Sequence, residues 1–95
     1  MRTPKYTNAF KRHLRLMQRR GKDTKYLKEA ISLLLVDAIL PEAYCDHPLS
    51  GKFAGSRDLH IEPDWLLIYR KEKAITDKDC LLILEATGTH ADLFK

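Results

Sequence analysis

Three of the four histidines of this 95-residue chain, His47, His60 and His90, stand from residue 47 onward. Each falls in a turn-forming segment or on the polar side of an alternating run, and Asp64 follows His60 by four residues. Imidazole titrates near neutrality, so two histidines in one site can serve as base and acid at a single pH. With a carboxylate and nearby cations, this set suits cleavage of RNA by its own 2′-hydroxyl group. A base takes the 2′-OH proton, an acid protonates the departing 5′-oxygen, and cations offset the charge gathering on the phosphate. That chemistry calls for no metal or cofactor.

Each residue also has a plainer use. His47, ahead of Pro48, can be a loop hydrogen-bonder, and His60, with Asp58 and Glu62 to either side, an ordinary strand residue. Asp64 after Pro63 suits a turn, and His90 can cap a last helical turn. Trp65 fits a core better than a stacking platform, and His13 reads as surface. Zinc accepts His and Asp ligands, but no two of these groups have tight ligand spacing, and basic surroundings oppose a cation. A serine nucleophile lacks its Gly-x-Ser-x-Gly elbow, and Gly51, Gly55 and Gly88 are too scattered for a phosphate loop. Cys45 and Cys80 are too few for a disulfide framework or a cysteine zinc site, and read as idle thiols of a reducing compartment.

Charge is unevenly distributed. Residues 1–30 carry ten basic side chains against Asp23 and Glu29, whereas the remainder carries seven basic and eleven acidic ones, for a total of +4. A concentrated positive face attracts polyanions. A solvated helix surface accounts for it equally well, so charge permits a nucleic-acid partner without identifying one. No run approaches the roughly 18 apolar residues of a membrane span. The opening Met-Arg-Thr-Pro-Lys-Tyr lacks the apolar stretch of a secretory signal, and a soluble cytoplasmic protein is expected.

These groups need a frame. Residues 2–6 read as a short edge strand. Thr7 or Asn8 can cap a helix whose Phe10, Leu14 and Met17 share one face, with Gly21 as its stop. Asp23 or Thr24 can cap a second helix, its stripe running through Leu27, Ile31, Leu34 and Ala38 to about Leu40, before Pro41. Residues 41–54 read as a loop. Three strand-like runs follow: Arg57 to Glu62, Trp65 to Lys71 and Cys80 to Ala86. In the first, Leu59 and Ile61 oppose Asp58, His60 and Glu62. Glu62-Pro63-Asp64 is a tight link, Glu72 to Asp79 a polar hairpin loop, and His90 to Phe94 a final turn. The expected fold is a single α+β domain over residues 1–95: a basic two-helix hairpin (1–40) packed on a small antiparallel sheet (41–95) that carries the site and ends in a short helical turn. The antiparallel expectation rests on links too short for crossover helices.

Three motifs occur in order: Asp46-His47-Pro48-Leu49-Ser50-Gly51; Gly55-Ser56-Arg57-Asp58-Leu59-His60-Ile61-Glu62-Pro63-Asp64-Trp65-Leu66-Leu67-Ile68-Tyr69; and Thr87-Gly88-Thr89-His90-Ala91-Asp92-Leu93-Phe94. In this order and spacing the chain resembles the YafQ-type toxins of the RelE superfamily, ribonucleases of bacterial type II toxin–antitoxin pairs. The resemblance spans nearly the whole chain and implies a RelE-like, microbial-ribonuclease-like fold. It implies an endoribonuclease that cuts mRNA in the ribosomal A site, is held by a cognate antitoxin, is monomeric when free and oligomeric in that complex, and has no membrane partner. His47, His60, Asp64 and His90 would form the acid–base set, with His90 as acid and Asp64 or His60 as base. Arg57, Lys52, Trp65 and Phe94 would contact RNA or shape the site. The competing reading is a non-catalytic nucleic-acid-binding module with structural histidines.

One residue departs from the pattern. Such toxins usually carry an arginine four residues before the last histidine, where this chain has Ala86. An arginine there suits the scissile phosphate. Three readings stand open: Arg57 or a lysine compensates, the enzyme is slow, or the arginine was replaced to make a toxic protein tolerable to express. The third is the one adopted, with weakened activity as its consequence.

Overall fold

The structure, a computed structural model, describes residues 1–73 and 80–94. Helix α1 (Asn8–Arg19) starts as expected, because the Thr7 hydroxyl oxygen accepts the Phe10 amide at 3.0 Å. The same hydroxyl donates to the Glu85 carbonyl at 2.8 Å, so the helix start is pinned to the last strand. Gly21 ends the helix at φ +87°, where its amide and that of Lys22 close on the Gln18 and Met17 carbonyls, both at 3.0 Å. Only glycine adopts this left-handed stop without strain.

Helix α2 (Thr24–Leu35) is capped by Asp23, whose carboxylate accepts the Lys25 amide at 2.9 Å. It stops at Leu35, short of the expected Leu40. The chain turns at Asp37, φ +53°, and the Asp37 carboxylate receives Arg2 Nε and Lys71 Nζ, both at 2.8 Å. The Arg2 amide donates to the Leu35 carbonyl at 2.8 Å. Arg2, just ahead of the first strand, and Lys71 thus hold the helix end. They are remote in sequence, which is why the local stripe continuing to Ala38 overruns the helix.

Strands β1 (Thr3–Tyr6), β2 (His47–Pro48), β3 (Arg57–Glu62), β4 (Trp65–Lys73) and β5 (Cys80–Gly88) form one sheet in the order β1-β5-β4-β3-β2. β2 to β5 are antiparallel neighbours, as short links require. β1 instead runs parallel to β5, with Thr3 beside Leu81 and Tyr6 beside Leu84. The sheet is mixed, which corrects the antiparallel expectation. β1 leads into the helical hairpin, so no tight turn sets its direction, and it docks on the free edge of β5. Of the polar loop expected over 72–79, Glu72 and Lys73 continue β4, and residues 74–79 lie outside the described residues. Within the expected 41–54 loop, short 3₁₀ turns (Glu42–Tyr44 and Gly51–Phe53) flank β2, and a four-residue helix α3 (His90–Leu93) follows β5.

The two long helices cover one face of the sheet. Phe10, Met17, Leu27, Ala30, Ile31 and Leu34 bury there against Leu59, Trp65, Leu67, Tyr69, Leu82 and Leu84. Each such leucine contributes about 1.5–3 kcal/mol by leaving water. On the opposite face a smaller cluster, Leu66, Ile68, Ala86 and Leu93, is bordered by Leu49 and Phe53. β4 lies between the two clusters, and Trp65 to Tyr69 are all buried. A bulge between His60 and Glu62 breaks the simple alternation of β3. It turns Glu62 toward the helical hairpin, where Lys22 Nζ meets it at 2.7 Å, and leaves His60 on the other face.

Lys71 first, then Arg2, hold the Asp37 carboxyl down at about 2. Its folded value lies below the unfolded one, so its stabilisation is complete above about pH 4 and fades as pH falls toward 2. Asp37→Asn should therefore lower the melting temperature at pH 7. In thermal melts followed by circular dichroism, that difference should close on approaching pH 2.

Candidate active site

The face of the sheet left free by the helices collects the chemistry. His47 on β2 is the cross-strand partner of Asp58 on β3, and Asp58 in turn partners Ile68 on β4 and Ile68 partners Ala86 on β5. One row therefore runs His47, Asp58, Ile68, Ala86. His60 is two residues along β3 from Asp58 and so shares its face. The His60 ring lies between the other two imidazoles, with centroids 6.2 Å from His47 and 5.7 Å from His90. Asp64 in the β3–β4 turn closes the set.

His90 is fixed by Asp64. One carboxylate oxygen, Oδ1, accepts both His90 Nδ1–H at 2.6 Å and the His90 backbone amide at 2.9 Å. The amide first, then the ring, lower the Asp64 pKa, so the group stays ionised. Paired this way, Nδ1 carries a proton and Nε2 faces outward for chemistry. His47 Nδ1 donates to the Cys45 carbonyl at 2.8 Å, with Asp58 Oδ1 3.4 Å from the same nitrogen.

α3 is too short to hold His90 by helical propensity alone. Its start is a capping box: the Thr89 amide donates to Asp92 Oδ2 at 2.9 Å, and the Asp92 amide to Thr89 Oγ1 at 3.1 Å. Arg20, at the end of α1, grips both Asp92 oxygens at 2.7 and 3.2 Å. Arg20 above all, then the Thr89 amide, hold the Asp92 carboxyl far below the usual range. Gly88 permits this fold-back, since a Cβ there would stand 3.1 Å from the Asp92 side chain.

An aromatic rim borders His90. The Phe94 ring centroid lies 6.3 Å from that of His90 and 5.8 Å from that of Phe53, and Lys52 Nζ sits 5.1 Å over Phe53. Phe94 and Lys52 thus join the site. Phe53 and Asp58 are members that the sequence reading missed. Asp58 was open to detection, because its two-residue offset from His60 puts both on one strand face; nothing local marked Phe53.

Two expected RNA contacts are corrected. Trp65 is fully buried on the helical face, where its Nε1 donates to Thr87 Oγ1 at 2.9 Å, so it supports the sheet from beneath. Arg57 alternates with Asp58 and points to the helical side, bound to Asp46 at 2.9 and 3.1 Å. Tyr69 also donates to Asp46, and burial followed by Asp46 pushes its phenol pKa up. Arg57 therefore does not replace a cation at position 86. Ala86 is itself buried, under Leu66, Ile68 and Leu93.

A family model for bacterial YafQ toxins of type II toxin–antitoxin systems matches residues 2–95. The mRNA interferase toxin YafQ of Escherichia coli K12 is 47% identical over 90 residues, covering 94% of this chain and 91% of that protein. The crystal structure of YafQ from E. coli BL21(DE3) superposes with a TM-score of 0.85 at 44% identity, over 100% of both chains. YafQ in the E. coli DinJ–YafQ toxin–antitoxin complex superposes with a TM-score of 0.83 at 45% identity, covering 99% of this chain and 98% of that one.

If Arg20 and Asp92 serve to seat His90, then Asp92→Asn should slow RNA cleavage by about 10- to 10²-fold, the scale of a 1 Å misplacement. Circular dichroism should register little change, because α3 is four residues long. A cleavage rate equal to that of the parent would show that His90 is seated without this grip.

Proposed function

The chain belongs to the YafQ family of type II toxin–antitoxin toxins, and from that membership we propose a ribosome-dependent mRNA endoribonuclease that cuts by metal-free acid–base catalysis. The observation that carries this is the row of three imidazoles, His47, His60 and His90, with adjacent ring centroids about 6 Å apart on one sheet face.

In this reading an imidazole of the His47–His60 pair takes the proton from the ribose 2′-OH. The 2′-oxygen attacks the adjacent phosphorus, the bond to the 5′-oxygen breaks, and His90 Nε2–H protonates that oxygen. The products are a 2′,3′-cyclic phosphate and a 5′-hydroxyl. Asp64 orients His90 through two hydrogen bonds, one from the ring and one from the backbone amide. The His90 amide, then its ring, hold the Asp64 carboxyl below the ordinary carboxylate value, which makes it a poor candidate for the base. Phe94, with Phe53 behind it, offers a ring on which a base can stack, and Lys52 a charge for the backbone.

The surplus of basic residues in 1–30 supports binding to ribosomal RNA, with a salt dependence to match. The DinJ complex of the E. coli relative supports a cognate antitoxin as this chain's resting partner. At position 86 the row lacks a cation, and a site without such a donor is slower by about 10²–10³-fold.

Two experiments test the reading. His47→Ala, His60→Ala and His90→Ala should each reduce cleavage of mRNA on programmed ribosomes by about 10²-fold or more. Product ends should be cyclic phosphate and 5′-hydroxyl. Full activity in all three folded variants would leave only a nucleic-acid-binding module. Ala86→Arg should increase growth arrest and mRNA cleavage on induction; no increase would mean that position 86 does not limit the rate.

A further inference from the structure

We propose that Asp58 is a positioning residue that holds His47 as the proton acceptor of the site. This rests on the acid–base reading above and resolves which member of the His47–His60 pair takes the proton.

β2 is only two residues long, so backbone pairing alone holds His47 loosely. Its ring is instead fixed through Nδ1. A carbonyl oxygen can only accept, so the 2.8 Å bond to Cys45 puts the proton on Nδ1 and leaves Nε2 with a free lone pair. The same nitrogen lies 3.4 Å from Asp58 Oδ1. Asp58 is 3% exposed, and its Oδ1 is buried with no hydrogen-bond partner among the described residues.

A buried, unpartnered carboxylate oxygen is costly unless it acts on a charge. Its cross-strand neighbours Ile68 and, one strand further, Ala86 bring no cation. Asp46, beside His47 in sequence, is occupied by Arg57 and Tyr69. His47 is the one ion-pair partner of Asp58 among the described residues. When Nε2 takes the 2′-OH proton, the ring becomes a cation within 3.4 Å of this carboxylate. The attraction grows as the proton transfers, and so favours the transition state over the resting state. His60 makes no side-chain hydrogen bond or ion pair among the described residues, and His90 is committed to Asp64. The site thus has a His–Asp pair on each side of His60: one with an exposed carboxylate for the acid, and one with a buried carboxylate behind an exposed imidazole for the base.

The test is steady-state cleavage of mRNA on programmed ribosomes by Asp58→Asn, which keeps shape and removes charge. The expected result is a fall in kcat of about 10- to 10²-fold with KM within about twofold. In a His47→Ala background, Asp58→Asn should cause no further loss. A full rate in Asp58→Asn, a change in KM alone, or losses that multiply in the double variant would each overturn the proposal. A ¹⁵N NMR measurement of the His47 ring in the unsubstituted chain serves if Asp58→Asn does not fold; a neutral ring protonated on Nε2 would also overturn it. Loss of activity in His60→Ala and His90→Ala but not in His47→Ala defeats this proposal alone. Full activity in all three defeats the acid–base reading as well.

Discussion

Side chains of a strand alternate between two faces, and the long helices claim one of those faces across this sheet. The helices bury Leu59, Leu67, Tyr69 and Leu84 on that side. Chemistry must come from what points the other way or from the sheet's rims. His60 and Asp58 satisfy the first condition, His47 and His90 the second, one on a two-residue edge strand and one on a four-residue helix. The bulge after His60 keeps this division clean, since it sends Glu62 back to Lys22 on the helical side. Trp65 and Arg57 fall on the helical side of the same division. Both stand within five residues of His60 in sequence, yet neither reaches the site.

Short elements at the rims need anchoring from elsewhere, and here carboxylates provide it. Asp92 ties α3 to α1 through Arg20, Asp64 ties His90 to the β3–β4 turn, and Asp37 ties the end of α2 to β1 and β4. The Arg20–Asp92 pair has a functional consequence. It connects the basic hairpin, proposed to meet ribosomal RNA, directly to the helix that bears His90. A displacement of α1 would therefore be felt at the proposed general acid.

Ala86 gives the site an unusual balance. The row from His47 to Ala86 contains a carboxylate, an isoleucine and an alanine, and no permanent cation. Positive charge must then come from imidazoles that take up protons, or from Lys52 at the rim. The proposed Asp58–His47 pair fits that economy, because a carboxylate without a resident cation is free to act on a transient one.

Much of this was legible in the residues themselves. The stop at Gly21, the caps at Thr7 and Asp23, the alternation of β3 as far as His60 and the three histidine motifs depend on neighbours a few positions away. Local sterics and hydrogen bonding govern such features, so order and spacing reveal them. Those motifs also carried the family, because their spacing reflects strands and turns that return the histidines to one face. Other features depended on partners far along the chain. The early end of α2 needed Arg2 and Lys71, the direction of β1 needed the free edge of β5, and the seating of His90 needed Arg20, 70 residues before it. The histidines could be listed from sequence, but their division into an Asp64 pair and an Asp58 pair follows only from pairing register and burial. Sequence sets which groups are available and on which side of a strand they fall. The tertiary structure decides which of them share a proton, because hydrogen bonds and ion pairs act over a few ångströms of space whatever their separation along the chain.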